Sequence, residues 1–141
     1  MTPNRRWRSG LDKVAVLDAS AFMALLRGEP GADTVAACLP WAVVSEVNQA
    51  EVQASLVAAG MDEQTAWWHI AEVKCESVPF DEGQARVAGG LARIGRPLGL
   101  SLGDRCCLAL SIERQATVYT TNPAWKNLVD LGVDLEVVVI A

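Results

Sequence analysis

The sequence predicts an α/β fold with a central parallel sheet of four or five short strands. Short apolar runs rich in β-branched residues, such as 14–17 and 42–44, are typical of strands buried on both faces. Longer helical segments separate these runs, so strands and helices alternate along the chain. The chain has 141 residues, of which 51% are apolar, and this is enough for one domain with a real core. We therefore expect a single domain over residues 14–141.

Caps and breakers set the predicted boundaries of the elements. Gly28 ends the first helix, Pro40 ends the second, Ser45 caps the third and Gly60 closes it. The predicted strands cover residues 14–17, 42–44, 76–80, 117–120 and 135–140. The predicted helices cover residues 19–27, 32–39, 46–59, 62–74, 82–94 and 106–113, and a short further helix begins at Pro123.

The charge of the chain is unevenly distributed. The net charge is −5, yet Arg5, Arg6, Arg8 and Lys13 against Asp12 make the first thirteen residues basic. We interpret residues 1–13 as a flexible basic segment, with an RNA-contacting tail as the alternative. No apolar run approaches the roughly eighteen residues that cross a bilayer, and the start of the chain lacks the apolar core of a signal peptide. These features predict a cytoplasmic protein without membrane contact.

Cysteine and histidine are placed poorly for catalysis or zinc binding. The cysteines stand at positions 38, 75, 106 and 107 without a CxxC pair, as expected of small core residues. His69 is the only histidine, and its neighbours Trp67 and Trp68 favour a packed or solvated side chain. We expect the two tryptophans to be core residues or to pack between helices, with an aromatic partner surface as the alternative. Any chemistry must therefore rest on carboxylates.

Asp18 follows the first predicted strand directly. Open α/β sheets bind their ligands at the carboxyl ends of their strands, so this acid can point into a crevice. The alternative is an N-cap for the helix that follows, since aspartate is a preferred cap.

Glu51 is the second candidate acid. The third helix has an apolar stripe formed by Val47, Ala50, Ala54 and Ala58, and Glu51 falls inside it. A carboxylate on a buried face is costly unless it is paired or binds a metal. A salt bridge at the edge of the stripe is the alternative. Asn48 lies three residues earlier on the same side and can orient Glu51 by hydrogen bonding.

Asp104 and Asn122 stand at two further helix starts. Ser101 and Asp104 have the spacing of a capping box, and an acid in the first turn stays ionised beside backbone N–H groups, as a metal ligand must. Asn122 precedes Pro123 and is a natural N-cap. A parallel sheet would gather such positions at its carboxyl edge together with Asp18. Oxygen ligands without histidine fit Mg²⁺ or Mn²⁺, which can support in-line hydrolysis of a phosphodiester.

An arginine-rich stretch follows the predicted third strand. Residues 84–102 contain no acid but include Arg86, Arg93 and Arg96. Arg86 and Arg93 are seven residues apart, which places them on one face of the predicted helix and makes a phosphate-contact patch. A solvated helix face is the alternative. The two glycines at 89–90 favour close packing of this helix against a neighbouring helix or chain.

The three acids stand in motifs that resemble those of PIN-domain ribonucleases, and among them the VapC toxins of VapBC-type toxin–antitoxin pairs. VLDASA carries the first acid at Asp18, VSEVNQAEV the second at Glu51, and LSLGDRCCLAL the third at Asp104. The resemblance covers residues 14–141. At one position the chain departs from the family, because TTNPAW places Asn122 where a segment like TADRAW has an aspartate. The departure removes one negative charge and weakens a second metal site.

The resemblance implies a three-layer α/β/α sandwich, a homodimer, and an endoribonuclease that uses Mg²⁺ or Mn²⁺ to cut RNA. It also implies a cognate VapB-like antitoxin whose tail covers the acidic site. The implied roles are metal ligation by Asp18 and Asp104, ligation or water polarisation by Glu51, and positioning of a metal-bound water by Asn122. Ser20 and Ser101, like Asn48, would support these groups by hydrogen bonding.

Two other functions remain open from the sequence. Asn122 and the acidic net charge also fit a degenerate PIN domain that acts as a binding or scaffold module with little or no nuclease activity. A phosphoacceptor receiver domain ranks lower, because that class has an acidic pair after the first strand and a lysine after the last one. Here Asp18 is single, and no lysine follows Lys126.

Overall fold

The computed structural model describes residues 13–141. Of the predicted basic N-terminal segment, only Lys13 belongs to the described residues; the rest of residues 1–13 lies outside them.

A five-stranded parallel sheet forms the centre of the molecule, as predicted. The strands are β1 (Ala15–Leu17), β2 (Ala42–Ser45), β3 (Glu76–Val78), β4 (Thr117–Thr120) and β5 (Glu136–Val139), and their order is β3-β2-β1-β4-β5. Val16 pairs with Val43 on one side and with Val118 on the other. Because β1 lies between β2 and β4, the chain segments that follow these three strands start from neighbouring points on the same edge.

Seven α-helices and short 3₁₀ segments cover the sheet within residues 13–141. The α-helices are α1 (Ala19–Arg27), α2 (Ala32–Cys38), α3 (Glu46–Ala58), α4 (Glu63–Glu72), α5 (Glu82–Gly90), α6 (Ala92–Gly95) and α7 (Leu102–Arg114). The 3₁₀ segments are Leu39–Trp41, Arg96–Leu98 and Pro123–Leu131. The left-handed conformation of Gly28, with φ 64°, ends α1 where the sequence predicts.

Two hydrophobic cores lie on opposite faces of the sheet. Leu17 and its neighbours on one face pack with residues of α1 to α4, among them Phe22 and Ile70. Val16 on the other face packs with α7 and with the segment after β4, through Leu108 and other residues. Successive strand residues point to opposite faces, so β1, β2, β4 and β5 contribute to both cores, whereas β3 contributes only Val78, to the second core. The three-layer α/β/α arrangement is confirmed.

The predicted single helix over residues 82–94 is wrong. It ends at Gly90 and resumes as α6 after Leu91. A Cβ placed at Gly89 or Gly90 would meet no atom within 4 Å, so the predicted close packing of these glycines is not present among residues 13–141. Because the helix is interrupted between them, Arg86 and Arg93 do not share one continuous helical face.

The two adjacent tryptophans of α4 are exposed, which corrects the prediction that they pack in the core. Trp67 is 45% and Trp68 58% exposed. The buried side of α4 carries Ala66 and Ile70, four residues apart, and the tryptophans lie beside it. Trp67 lines an open groove between α3 and α4. His69 is exposed as well, with its ring edge-on to Trp68 at a centroid distance of 5.2 Å.

The cysteines are free thiols, and three of them are buried: Cys38, Cys106 and Cys107. The prediction that they serve as small core residues is confirmed for these three, whereas Cys75 is half-buried. None of the helices between residues 13 and 141 is both long and apolar enough to cross a membrane.

Candidate metal centre

Asp18 is both a helix cap and a buried acid at the carboxyl end of β1. Its Oδ1 accepts hydrogen bonds from Ser20 Oγ and from the backbone N–H of Ala21, each at 2.7 Å, and so caps α1. Its Oδ2 accepts a bond from Thr120 Oγ1 at 2.6 Å. The residue is only 5% exposed. The two interpretations of Asp18 are therefore compatible, because capping uses one carboxylate oxygen and the other faces β4.

Glu51 lies beside the start of α7, and the apolar stripe that the sequence predicts around it is wrong. Ala50, Ala54 and Ala58 are exposed, and the buried side of α3 carries Asn48, Gln49, Val52 and Leu56. Glu51 is half-buried at the border of that side, and its Oε1 accepts a hydrogen bond from Asn48 Nδ2 at 2.7 Å. The carboxyl group lies against Gly103, where a side chain would collide with it. The predicted bond from Asn48 is thus present.

Asp104 is held in the first turn of α7 by a complete capping box. Its backbone N–H donates to Ser101 Oγ at 3.1 Å, and its Oδ2 accepts from the backbone N–H of Ser101 at 2.9 Å. The helix begins at Leu102, four residues before the predicted start, because Ser101 is the N-cap. The half-buried carboxylate of Asp104 is thereby fixed at the helix N-terminus.

Asn122 follows β4 and is an exposed N-cap, as predicted. Its Oδ1 accepts a bond from the backbone N–H of Ala124 at 3.0 Å, at the start of the 3₁₀ segment Pro123–Leu131. Its own N–H donates to Thr120 Oγ1 at 3.1 Å. Thr120 therefore lies between Asn122 and Asp18 and bonds to both.

Thr120 is a residue of the site that the sequence did not predict. It is fully buried at the end of β4, and its bond to Asp18 joins residues 102 positions apart in the chain. From the sequence, Thr120 is predicted only to be the last residue of a strand. The available signal is its position, since a hydroxyl at the carboxyl end of a strand beside β1 can reach the acid there.

The three acids are close enough to affect one another electrostatically. Burial raises the pKa of Asp18 despite its three hydrogen bonds, and the charge of Asp104 adds to the rise. Burial also raises the pKa of Glu51; the bond from Asn48 opposes this, and the charges of Asp104 and Asp18 reinforce it. Within residues 13–141, no salt bridge involves any of the three acids. The edge of the sheet therefore brings together three acids, none of which is paired in a salt bridge with a described residue.

The donor set fits a hard divalent cation such as Mg²⁺ or Mn²⁺. It consists of carboxylate oxygens whose mutual repulsion a cation would relieve. Burial raises the pKa of the Cys107 thiol well above its ordinary value, and hard cations prefer oxygen ligands to sulfur. Among the described residues, no three His, Cys, Asp or Glu side chains already surround one point as ligands. Mg²⁺ tolerates this, since it commonly binds one or two carboxylates and keeps several waters.

The three arginines predicted to contact phosphate are all exposed. Arg86 Nη2 lies 3.9 Å from Glu82 Oε2, and both side chains face solvent. Arg93 belongs to α6 and Arg96 begins the following 3₁₀ segment. Their contact with a polyanion stays a prediction, and the interrupted helix removes the argument that two of them are stacked.

The family profile for the PIN domain matches residues 15–131 of the chain. The chain belongs to the PIN-domain family. The motif resemblance is thus confirmed at the family level, and PIN domains are nucleases as a family. No curated protein sequence matches this chain significantly.

Solved structures of low sequence identity share this PIN fold. A chain of VapBC2 from Rickettsia felis, bound to a DNA fragment from the promoter of the pair, aligns with a TM-score of 0.68 at 15% identity, covering 90% of this chain and 98% of that chain. For VapBC-5 from Mycobacterium tuberculosis the TM-score is 0.64 at 21% identity, with coverages of 90% and 99%. For FitAcB from Neisseria gonorrhoeae it is 0.63 at 18% identity, with coverages of 87% and 95%.

Proposed function

We propose that this PIN domain is an endoribonuclease that depends on Mg²⁺ or Mn²⁺ and acts as the toxin of a type II toxin–antitoxin pair. The observation that carries the catalytic proposal is the acidic edge formed by Asp18, Glu51 and Asp104. The charge of Asp104 adds to the raised pKa of both Asp18 and Glu51, and no salt bridge in the described chain involves any of the three acids. Such an edge repels a polyanionic substrate on its own. A divalent cation turns it into a binding site for phosphate.

In this proposal, each polar residue at the edge has a separate task. Asp18 and Asp104 hold the cation, and Glu51 ligates it or polarises the attacking water. When bound, the cation supplies Lewis-acid polarisation of the phosphodiester and lowers the pKa of a water. Ser20 and Thr120 keep the Asp18 carboxylate oriented by donating to its two oxygens. Asn122, at the uncharged margin of the acidic edge after β4, orients a water through its amide.

The proposed partners are RNA as the substrate, a VapB-like antitoxin and a second copy of this chain. The support is that the structural relatives are described as VapBC and FitAcB proteins. The proposed location is the cytoplasm. A reading frame that lies immediately upstream and encodes a small DNA-binding protein supports the toxin role, and co-purification of its product with this chain is the direct test.

RNA cleavage by the Asp18→Asn variant tests the catalytic proposal. We expect cleavage of a structured RNA in Mn²⁺ to fall by about 100-fold or more, roughly 3 kcal/mol in barrier, because the variant lacks a charged ligand of the cation. EDTA is expected to abolish cleavage by the wild-type chain. Cleavage that is unchanged in Asp18→Asn rejects the mechanism.

The matched control is Asp62→Asn. Asp62 is also a helix N-cap, with Oδ2 accepting from the N–H groups of Gln64 and Thr65 at 3.1 and 3.3 Å, but it is exposed at the start of α4. Asparagine caps a helix about as well as aspartate, so this control changes the same atoms outside the acidic edge. We expect its cleavage rate to equal that of the wild type.

A binding or scaffold module is the second candidate, and one observation favours it. Asn122 is a neutral residue whose oxygen already caps Ala124, so this corner of the edge adds no negative charge. Titration calorimetry with Mn²⁺ separates the two functions. No uptake up to millimolar concentrations favours the module, whereas saturable uptake that is lost in Asp18→Asn favours the nuclease.

A further inference from the structure

Asn48 connects the two helices that carry Glu51 and Asp104. Its Nδ2 donates to Glu51 Oε1 at 2.7 Å and to the backbone carbonyl of Gly103 at 3.2 Å. Both partners are acceptors, so the orientation of the amide is fixed by the two bonds together. The side chain is only 1% exposed, so water competes little for these bonds.

Gly103 leaves room for the Glu51 carboxyl group. A Cβ built at Gly103 collides with the carboxyl carbon and with Oε2. Gly103 immediately precedes Asp104, and Asn48 binds its carbonyl. The absence of a side chain at Gly103 and the two bonds of Asn48 thus place Glu51 directly beside the backbone that leads into Asp104.

The other end of the Asn48 amide is unsatisfied. Its Oδ1 is buried and accepts no hydrogen bond from the described residues. A buried acceptor without a partner costs free energy, so fold stability alone does not explain an asparagine here. The two bonds from its Nδ2 are what the amide contributes.

We propose that Asn48 is a positioning residue that fixes Glu51 relative to Asp104 by bonding to Glu51 and Gly103 at once, and that a glycine at 103 is required for this arrangement. The consequence for metal binding rests on the proposed function. Without Asn48, Glu51 is free to move away from the like charge of Asp104. The cation then has to reorder Glu51 when it binds, and its affinity falls.

The first experiment measures the placement without any cation. A double-mutant cycle with Asn48→Ala and Glu51→Ala is carried out by urea unfolding of the full chain in EDTA. We expect the two substitutions to be coupled by about threefold or more in the unfolding equilibrium constant, as for residues in direct contact. Additive effects overturn the proposal. The coupling is measured without metal, so it tests the position of Glu51 alone. The nuclease proposal fails by a different result, namely the absence of Mn²⁺ uptake by the wild-type chain.

The second experiment measures Mn²⁺ affinity by calorimetry. We expect Asn48→Ala to weaken binding by about tenfold, the lower end of what removal of a residue supporting a metal ligand causes. The matched control is Gln84→Ala. Gln84 is also a buried amide, with Nε2 donating to the Pro79 carbonyl at 3.2 Å and with an unpaired Oε1. It lies on α5, and its bond to the Asp81 carboxylate comes from the backbone N–H, which the alanine variant keeps. The control is expected to lose stability and keep its Mn²⁺ affinity within about twofold.

Gly103→Ala keeps the test decisive if Asn48→Ala does not fold. Alanine favours a helix more than glycine does, and the atoms in its way belong to the flexible end of Glu51. We therefore expect an unchanged unfolding midpoint together with Mn²⁺ affinity reduced by about tenfold. Unchanged Mn²⁺ affinity in this variant, or in a folded Asn48→Ala, overturns the proposal.

Discussion

The ends of two neighbouring strands, β1 and β4, differ in how they use a cap residue. Asp18 after β1 is buried, charged and held by three hydrogen bonds, including the one from Thr120. Asn122 after β4 is exposed and neutral, and its oxygen is used to cap Ala124. The same local task, starting a helix, is therefore carried out at high electrostatic cost at one end and at almost none at the other.

Only one of these two strand ends destabilises the fold. A buried carboxylate with a raised pKa destabilises the fold, and an N-cap does not require burial. Asp18 at the end of β1 therefore lowers the stability of the fold more than a cap requires, which is typical of functional residues. The end of β4 is neutral, so the acidic edge has a charged side and an uncharged margin, joined by Thr120.

Replacing Thr120 by valine is expected to remove the hydrogen bonds that join Asp18 and Asn122 through Thr120, and to have the largest effect on stability. The variant keeps the shape of a β-branched residue but leaves Asp18 Oδ2 and the Asn122 N–H without their partner. We expect a loss of about 1–3 kcal/mol in the free energy of unfolding, measured with urea in EDTA. Thr121→Val, at an exposed position, is the control and should stay within about 0.5 kcal/mol. Equal stabilities of the two variants would show that the hydroxyl of Thr120 contributes nothing.

Adding an acid at Asn122 is expected to make the two strand ends alike. Asn122→Asp keeps the cap, because both residues are good N-caps, and adds a negative charge at the margin. We expect Mn²⁺ to bind about tenfold more tightly, or roughly 1.4 kcal/mol, a fraction of the Coulomb energy of adjacent charges near a surface. Calorimetry checks this, with Asn122→Ala as the uncharged comparison. Weaker Mn²⁺ binding in Asn122→Asp would contradict a role for this corner near the cation.

The pH dependence of stability gives the smallest expected effect. Burial raises the pKa of Asp18 above its ordinary 3.8, so the folded protein binds this proton more tightly than the unfolded chain does. The contribution of Asp18 to stability is therefore greatest at acid pH. It is lost as pH rises from the pKa that Asp18 has in the unfolded chain through its higher pKa in the folded protein. In EDTA, Asp18→Asn should gain stability over the wild type between pH 4 and 7. A difference that shrinks with rising pH would refute the sign of this shift.

The fold could be predicted from local sequence because strands and caps leave local signals. Gly28, Ser45 and Ser101 each mark a helix boundary by their own chemistry, and all three act as predicted. The buried face of α3 could not be predicted in this way, because alanine is compatible with either environment. Only the packing against α7 decides that Asn48 is buried and Ala50 is not.

The site could be predicted in part for the same reason. Asp18 and Asp104 stand at element ends that a parallel sheet brings to one edge, and the motifs around all three acids resemble a family. Thr120 also stands at a strand end, but the pairing of β4 with β1 that makes this position useful follows only from the fold. Gly103 leaves no such signal, since its importance lies in a contact with Glu51, which is distant in the chain. A residue that acts through a long-range contact becomes visible only when the fold is known.

The buried indole of Trp125 provides an optical probe of the neutral margin. It is 1% exposed and lies three residues after Asn122, whereas Trp67 and Trp68 face solvent. The chain contains five tryptophans, so replacing the other four by phenylalanine leaves Trp125 as the single tryptophan, next to this corner. Its emission would shift to longer wavelength if the 3₁₀ segment after β4 opened to water. Movement of the segment during binding can therefore be followed by fluorescence, without labelling any residue of the acidic edge.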